Sequence, residues 1–225
     1  METTDSLRDL PPKAAAYIKQ VGWTQGVEQN SAGQVCLTGA LRLCTPNPGD
    51  GYLAREVFRR RGHAESWNDA DGRTSDQVIK YLEQAEITDA ELSVVFGPQW
   101  REVVGQVRRI SGATTEEVND LAAAWAAGDA AGDAVWAARD AARDAAWDAA
   151  WAAAGDAAWA AARDAARDAD QAAARDAAWA LSTRDLIGTG NYTQDHYDTL
   201  TGPWVSVFGK LHPDDQPAQN SGKGN

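Results

Sequence analysis

From Ala137 to Ala180 the chain reads as eleven consecutive four-residue units: AARD, AARD, AAWD, AAWA, AAGD, AAWA, AARD, AARD, ADQA, AARD, AAWA. Two alanines open almost every unit, the third place alternates between Arg and Trp except at Gly155 and Gln171, and the fourth is Asp or Ala. Ala has the highest intrinsic helix propensity and Arg follows closely, so the stretch is predicted helical despite its aspartates and Gly155. Each unit overshoots a full helical turn by about 40°, so every column drifts around the axis. Supercoiling absorbs repeats near roughly 3.5 or 3.67 residues per turn, and a period of four lies beyond that range. No face of a long helix built this way stays apolar.

Between Leu121 and Ala180 there are 33 alanines, and Leu121 and Val135 are the only large aliphatics. Trp125, Trp136, Trp147, Trp151, Trp159 and Trp179 must therefore supply the bulk. On one continuous helix all but Trp159 would fall within a sector about 80° wide. Arg139 and Arg143 stand four apart, as do Arg163 and Arg167, and Asp140, Asp144 and Asp148 follow the same spacing. Like charges at that spacing repel, whereas Asp140–Arg143 and Asp164–Arg167 attract. A second helix presenting the opposite column would relieve the repulsion. The nearly palindromic order Arg, Arg, Trp, Trp, Gly155, Trp, Arg, Arg predicts antiparallel packing about Gly155. Trp147 and Trp151 are then expected between helices, by fold-back or by self-association into a homo-oligomer. The competing reading is a solvated low-complexity rod.

Charge separates this stretch from the rest. The formal net charge is −12; residues 1–110 carry 13 basic and 15 acidic groups, and residues 111–181 carry 5 and 13. An acidic module favours solubility and argues against nucleic acid as a partner, which needs a basic face. The opening METTDSLRDLPP has neither a charged nor an apolar leader region. No run approaches the roughly 20 apolar residues of a membrane span, so no membrane contact is expected. Cys36 and Cys44 read as reduced thiols, which with the missing leader predicts a cytoplasmic protein.

Along the chain, Pro11-Pro12 open a helix that Gly22 stops near Val21. Short extended pieces flanking Asn30–Gly33 suggest a small hairpin. Cys36 to Cys44 reads as a short buried helix, Thr45 to Gly51 as a loop, and Tyr52 to Arg61 as an amphipathic helix. Thr74 with Gln77, Thr88 with Glu91, and Thr114 with Glu117 are capping-box patterns. Gly128-Asp129 and Gly132-Asp133 are predicted kinks. Thr193 caps a helix to about Leu200, and Gly202-Pro203-Trp204 is predicted to start another. From Asp214 onward the composition predicts a frayed tail.

The pieces Gly22-Trp23, Cys36-Leu37-Thr38-Gly39-Ala40, Trp67-Asn68-Asp69 and Arg73-Thr74, within roughly Tyr17 to Glu86, resemble an uncharacterised domain family of actinobacteria and their phages. The tail from Tyr197 to Trp204, with His212 to Asp215, is similar to the endings of actinobacterial Ala/Asp-repeat proteins. The resemblance implies an origin and a domain limit, and no activity.

Several candidate sites can be weighed. Cys36, His63 and Asp69 follow the order of a nucleophile, a base and an orienting group, and a thiolate at a helix start has a lowered pKa. The flanks of Cys36 match no hydrolase signature, and CLTGALRLC is as apolar as a core helix. Asn68 to Gly72 fails as a calcium loop, because Gly72 at the sixth position puts Trp67 and Val78 where oxygen ligands are required. The histidines are scattered, so neither a metal nor a cofactor is expected. Arg59, Arg60 and Arg61 form the one dense basic cluster, which complements a helix end or meets a phosphate, an acidic partner or the acidic repeat itself.

These readings give a mainly α fold: a small helical domain over 10–90 with at most a minor β-hairpin, a long Ala-rich module with C-terminal helices over 91–213, and a tail over 214–225. The expected function is a non-enzymatic accessory protein acting through contacts with a protein partner, with Arg59, Arg60, Arg61, Trp147 and Trp151 as interaction residues. The alternatives are a small cysteine hydrolase or transferase centred on Cys36 and His63, and an acidic inhibitor occluding a DNA-binding protein.

Overall fold

The computed structural model describes residues 5–129, 132–145, 148–163 and 168–215. Among them are thirteen α-helices, a 3-10 turn at Arg184–Leu186 and no strand. The hairpin expected about Asn30–Gly33 reduces to isolated bridges of Val35 with Trp23 and Gln29. Its turn is nonetheless real: the Asn30 side chain accepts from Ala32 N and Gln34 N. Trp147, and the side chain of Trp151, lie outside the described residues.

The first six helices are α1 (Asp5–Arg8), α2 (Leu10–Val21), α3 (Leu37–Leu43), α4 (Pro48–Arg60), α5 (Glu65–Asn68) and α6 (Ser75–Gln84). Helix α4 starts four residues earlier than the sequence suggests. Asn47 caps it by accepting from Gly49 N, and Pro48 sits in the first turn where no N–H is needed. Its glycines serve close packing, since a methyl on Gly51 would come within 2.5 Å of the Arg42 backbone on α3. Two further helices complete the large-side-chain core: α7 (Asp89–Phe96) and α8 (Trp100–Ser111). The boxes at Thr74–Gln77 and Thr88–Glu91 open α6 and α7 as expected.

The Ala-rich stretch divides into α9 (Thr115–Asp129), α10 (Gly132–Ala145), α11 (Asp148–Arg163) and α12 (Asp168–Thr183). At about 40° of drift per unit, each described span of 14 to 16 residues lets a column wander through about 120°. Within that span the alanine doublets stay inward: Ala157-Ala158 on α11, and Ala173-Ala174 with Ala177-Ala178 on α12, are buried. The α11–α12 contact is the most extensive between any two helices. Trp179 of α12 lies against Gly155 of α11, so the chain doubles back and the pair is antiparallel.

The fold-back is therefore not at Gly155, which sits inside α11. Ala neighbours hold the helix through the glycine, and its missing side chain has another use. A methyl at Gly155 would fall inside the Trp179 indole of α12, so the glycine lets the two helices close on a buried tryptophan. A second correction concerns α13 (Gln194–Phe208), one helix where two were expected. Pro203 lies in its interior, and the chain forgoes the bond that residue 203 would donate to Thr199 rather than breaking.

Helix α11 packs on α4, α7 and α8, while α12 packs on α8, α9 and α13. One hydrophobic cluster consequently runs from Leu7 through the α11 and α12 alanines to Leu211. A smaller one joins Ala138, Ala141 and Ala142 of α10 to Tyr192, Tyr197 and Leu200. No helix among the described residues is long and apolar enough to cross a membrane.

Candidate functional site

The fragments Gly22-Trp23, Cys36–Ala40 and Trp67-Asn68-Asp69 meet at Asn68, which is fully buried. Its Oδ1 accepts from Trp23 Nε1 at 2.8 Å and from Leu37 N at 3.1 Å, and its Nδ2 donates to Thr24 O at 3.3 Å. Asp69 accepts from Gly26 N at 2.9 Å. One amide thus ties the loop after α2 to the start of α3. Cys36 is the cap of α3, its Sγ accepting from Gly39 N at 3.3 Å and lying 3.1 Å from Thr38 Oγ1. His63 belongs to a different set. Its ring stacks on Tyr81 with centroids 4.6 Å apart, lies 5.1 Å from Trp67, and places Nδ1 2.9 Å from Arg61 O. The structure therefore brings Asp69 to Asn68 and leaves the Cys36 thiol and the His63 imidazole in separate hydrogen-bond sets. Burial pushes the second thiol, Cys44, up to about 11.

The three consecutive arginines part company at the end of α4. Arg61 forms a bidentate pair with Glu91, both contacts at 2.8 Å, and its guanidinium lies 5.0 Å from the Phe58 ring centre. Arg59 reaches Glu56 at 2.9 Å and Asp156 of α11 at 3.8 Å. This arginine does meet the acidic repeat within the same chain. Arg60 is exposed and has no ionic or hydrogen-bond partner among the described residues. Glu56 is only 6% exposed, and burial pushes its carboxyl up to about 7 despite Arg59 and Arg55 nearby. Glu56, Arg59 and Arg60 together line a cavity of about 330 Å³ with Val94 and Val95 of α7 and Ala153 and Asp156 of α11.

In the Ala-rich helices the charge columns do find each other. Arg139 of α10 grips Asp176 of α12 with Nε–Oδ1 at 2.9 Å and Nη2–Oδ2 at 2.7 Å, and Trp125 Nε1 of α9 donates to the same carboxylate at 3.4 Å. Asp176 is 2% exposed, so burial raises its pKa while Arg139 pulls it back. The other face of α10 is open. Asp133, Trp136, Ala137, Asp140 and Asp144 are all exposed there, Trp136 at 62%. Their spacing of three and four places them on one stripe. Arg143 on this stripe pairs with Asp140 at 2.7 Å.

Sequence reasoning missed Glu56, Asp156 and Val94 as neighbours. One signal was available: Glu56 stands four after Tyr52 and next to Val57, inside an apolar stripe where a carboxylate is out of place. Asp156 gave none, because most repeat units offer a similar Asp. Among the described residues no three of His, Cys, Asp and Glu converge on a point that would hold a metal ion.

Residues 2–87 match the model of a family of unknown function (DUF6197). The match covers α1 to α6 and ends at Ile87, before the Ala-rich helices. No curated protein and no solved structure matches the chain.

Proposed function

We propose that this chain is a non-enzymatic accessory protein, of actinobacterial or phage origin, that holds a basic protein partner against the exposed stripe of α10. The origin rests on the resemblance of the Asn68-centred motifs and of the tail. The reading of function rests on one observation: Trp136, 62% exposed, stands between the exposed carboxylates of Asp133 and Asp140. Arg139 lies 5.1 Å from the ring centre, and a large aromatic still 62% exposed beside acids is the arrangement a cationic, partly apolar surface covers well, because ring and carboxylates both attract Arg and Lys. Occlusion of a DNA-binding protein is the same contact with a narrower class of partner. A cysteine hydrolase would need the His63 ring to take the Cys36 proton, and the ring is engaged with Tyr81, Trp67 and Arg61 instead.

The test is capture from a lysate of an actinobacterial host on immobilised full-length protein, with Trp136→Ala and Asp133→Asn/Asp140→Asn beside the parent. Both variants should keep the parent's melting temperature, because the altered side chains are exposed. A basic protein retained by the parent and lost from both variants supports the reading. Equal retention on all three surfaces, or none on the parent, sinks it.

A further inference from the structure

The cavity between α4, α7 and α11 is not used by the contact proposed above. We propose that it binds a small amphipathic organic anion, a carboxylate or phosphate joined to a short aliphatic body, with Arg60 as the anchor of the charge. Arg59 stands between Glu56 and Asp156, at 2.9 and 3.8 Å, and these three groups answer one another. Arg60 is left at the edge with no ionic or hydrogen-bond partner among the described residues. A guanidinium offers a planar fork of donors matched to carboxylate and phosphate oxygens, which a spherical ion uses poorly.

The rest of the lining sets the remainder of the ligand. Val94 is 62% exposed and, with Val95 and Ala153, forms an apolar wall beside the arginine. Such a wall favours an alkyl chain over a bare inorganic ion. At about 330 Å³ the cavity stands near the lower limit of ligand pockets, which start at roughly 300 Å³, so the body is short. Burial favours the neutral form of Glu56, which therefore opposes an anion less than a full charge would.

The experiment titrates the full-length protein at pH 7 and constant ionic strength with hexanoate, butyl phosphate, inorganic phosphate and hexanol, followed by calorimetry. At least one of the two alkyl anions should bind saturably, and whichever binds tighter assigns the head group. Inorganic phosphate and hexanol, each lacking half of the recognition, should bind at least about tenfold more weakly. Arg60→Gln should weaken the alkyl anion by about tenfold or more, as loss of a charge-assisted contact requires. Val94→Ser should weaken the alkyl anions severalfold and leave inorganic phosphate unchanged. Both altered side chains are exposed, and melting curves matching the parent's confirm that the fold is intact. No saturable binding of either alkyl anion overturns the proposal, as does equal binding by parent and Arg60→Gln, or inorganic phosphate binding as tightly as the alkyl anions.

Discussion

The Asn68 knot and the Asp176 knot solve the same problem with different materials. Around Asn68, a neutral amide organises loops already packed on Ile18, Leu37, Leu41, Phe58 and Leu82, all essentially unexposed. Around Asp176, an ion pair and an indole lock together three helices whose contacts are largely methyl groups. Large aliphatic side chains interdigitate and specify how elements sit against one another. Alanine surfaces slide, since one methyl is much like the next. The repeat therefore needs a polar lock, and a buried charge pair fixes register even where it adds little net stability. Burying unlike charges at one point, with a glycine at another to admit Trp179, gives the otherwise uniform α10–α12 packing a single address.

Two substitutions test this comparison most strongly. Arg139→Ala leaves the Asp176 carboxylate buried without its counter-ion, and breaking a buried pair in this way costs about 3–5 kcal/mol. The double change Arg139→Met/Asp176→Leu removes both charges and should recover most of that loss in urea unfolding. If the double variant is as unstable as the single, Asp176 has a role beyond pairing. In the other region, Asn68→Ala strands the Trp23 and Leu37 N–H groups, a loss of roughly 2–4 kcal/mol with no charge involved. The two are distinguished by salt and pH: the Arg139 effect should weaken as Asp176 is protonated in acid, and the Asn68 effect should not. An acid-insensitive Arg139→Ala deficit would erase the contrast between the two knots.

The regions also differ in how far they could be read from sequence. The capping boxes at Thr74, Thr88 and Thr114, the cap at Thr193, the start at Pro11 and the stop at Gly22 are local signals, each carried by a few adjacent residues. Opposite-charge relief between helices was legible too, because like charges at spacing four require a second column. Which pair would form was not, because the repeat offers several arginines and aspartates at equivalent places. The palindrome pointed to Gly155, and the glycine does mark an α11–α12 contact. Its cause is close approach rather than a turn, and Gly alone cannot distinguish the two. Pro203 misled for a related reason, since tertiary packing of Tyr197, Leu200 and Trp204 outweighs one lost backbone bond.

Gly155 gives a sharper probe of the alanine interface. Gly to Ala inside an exposed helix is worth about 1 kcal/mol of added stability. Here the new methyl would overlap the Trp179 indole, which is only 7% exposed and lies under Arg175, whose guanidinium is 4.4 Å from the ring centre. Overpacking of this kind costs about 1–3 kcal/mol, so against that gain the net expectation is a loss of up to roughly 2 kcal/mol. Gly105, where an added methyl meets nothing within 4 Å, is the control and should gain stability. A stabilised Gly155→Ala, with unchanged Trp emission, would mean that α11 and α12 are not closely packed at this point.

The smallest effect is expected where the two regions touch, at Glu56. Its folded-state pKa is raised to about 7 because burial disfavours the charged form more than Arg59 and Arg55 favour it. A raised carboxyl binds its proton more tightly in the folded than in the unfolded state. Its contribution is thus most favourable below the unfolded value near 4.5, and is lost as pH climbs from there to about 7. Glu56→Gln keeps an acceptor for Arg59 and removes the titration. The variant should match the parent near pH 5 and exceed it at pH 8 by about 1–2 kcal/mol, with the gap opening between those values. Urea midpoints at several pH values would check this. A gap of the opposite sign at pH 8 would mean that the charged Glu56–Arg59–Asp156 chain holds α11 to α4 more strongly than burial opposes it, so that this junction would resemble the Asp176 lock in kind.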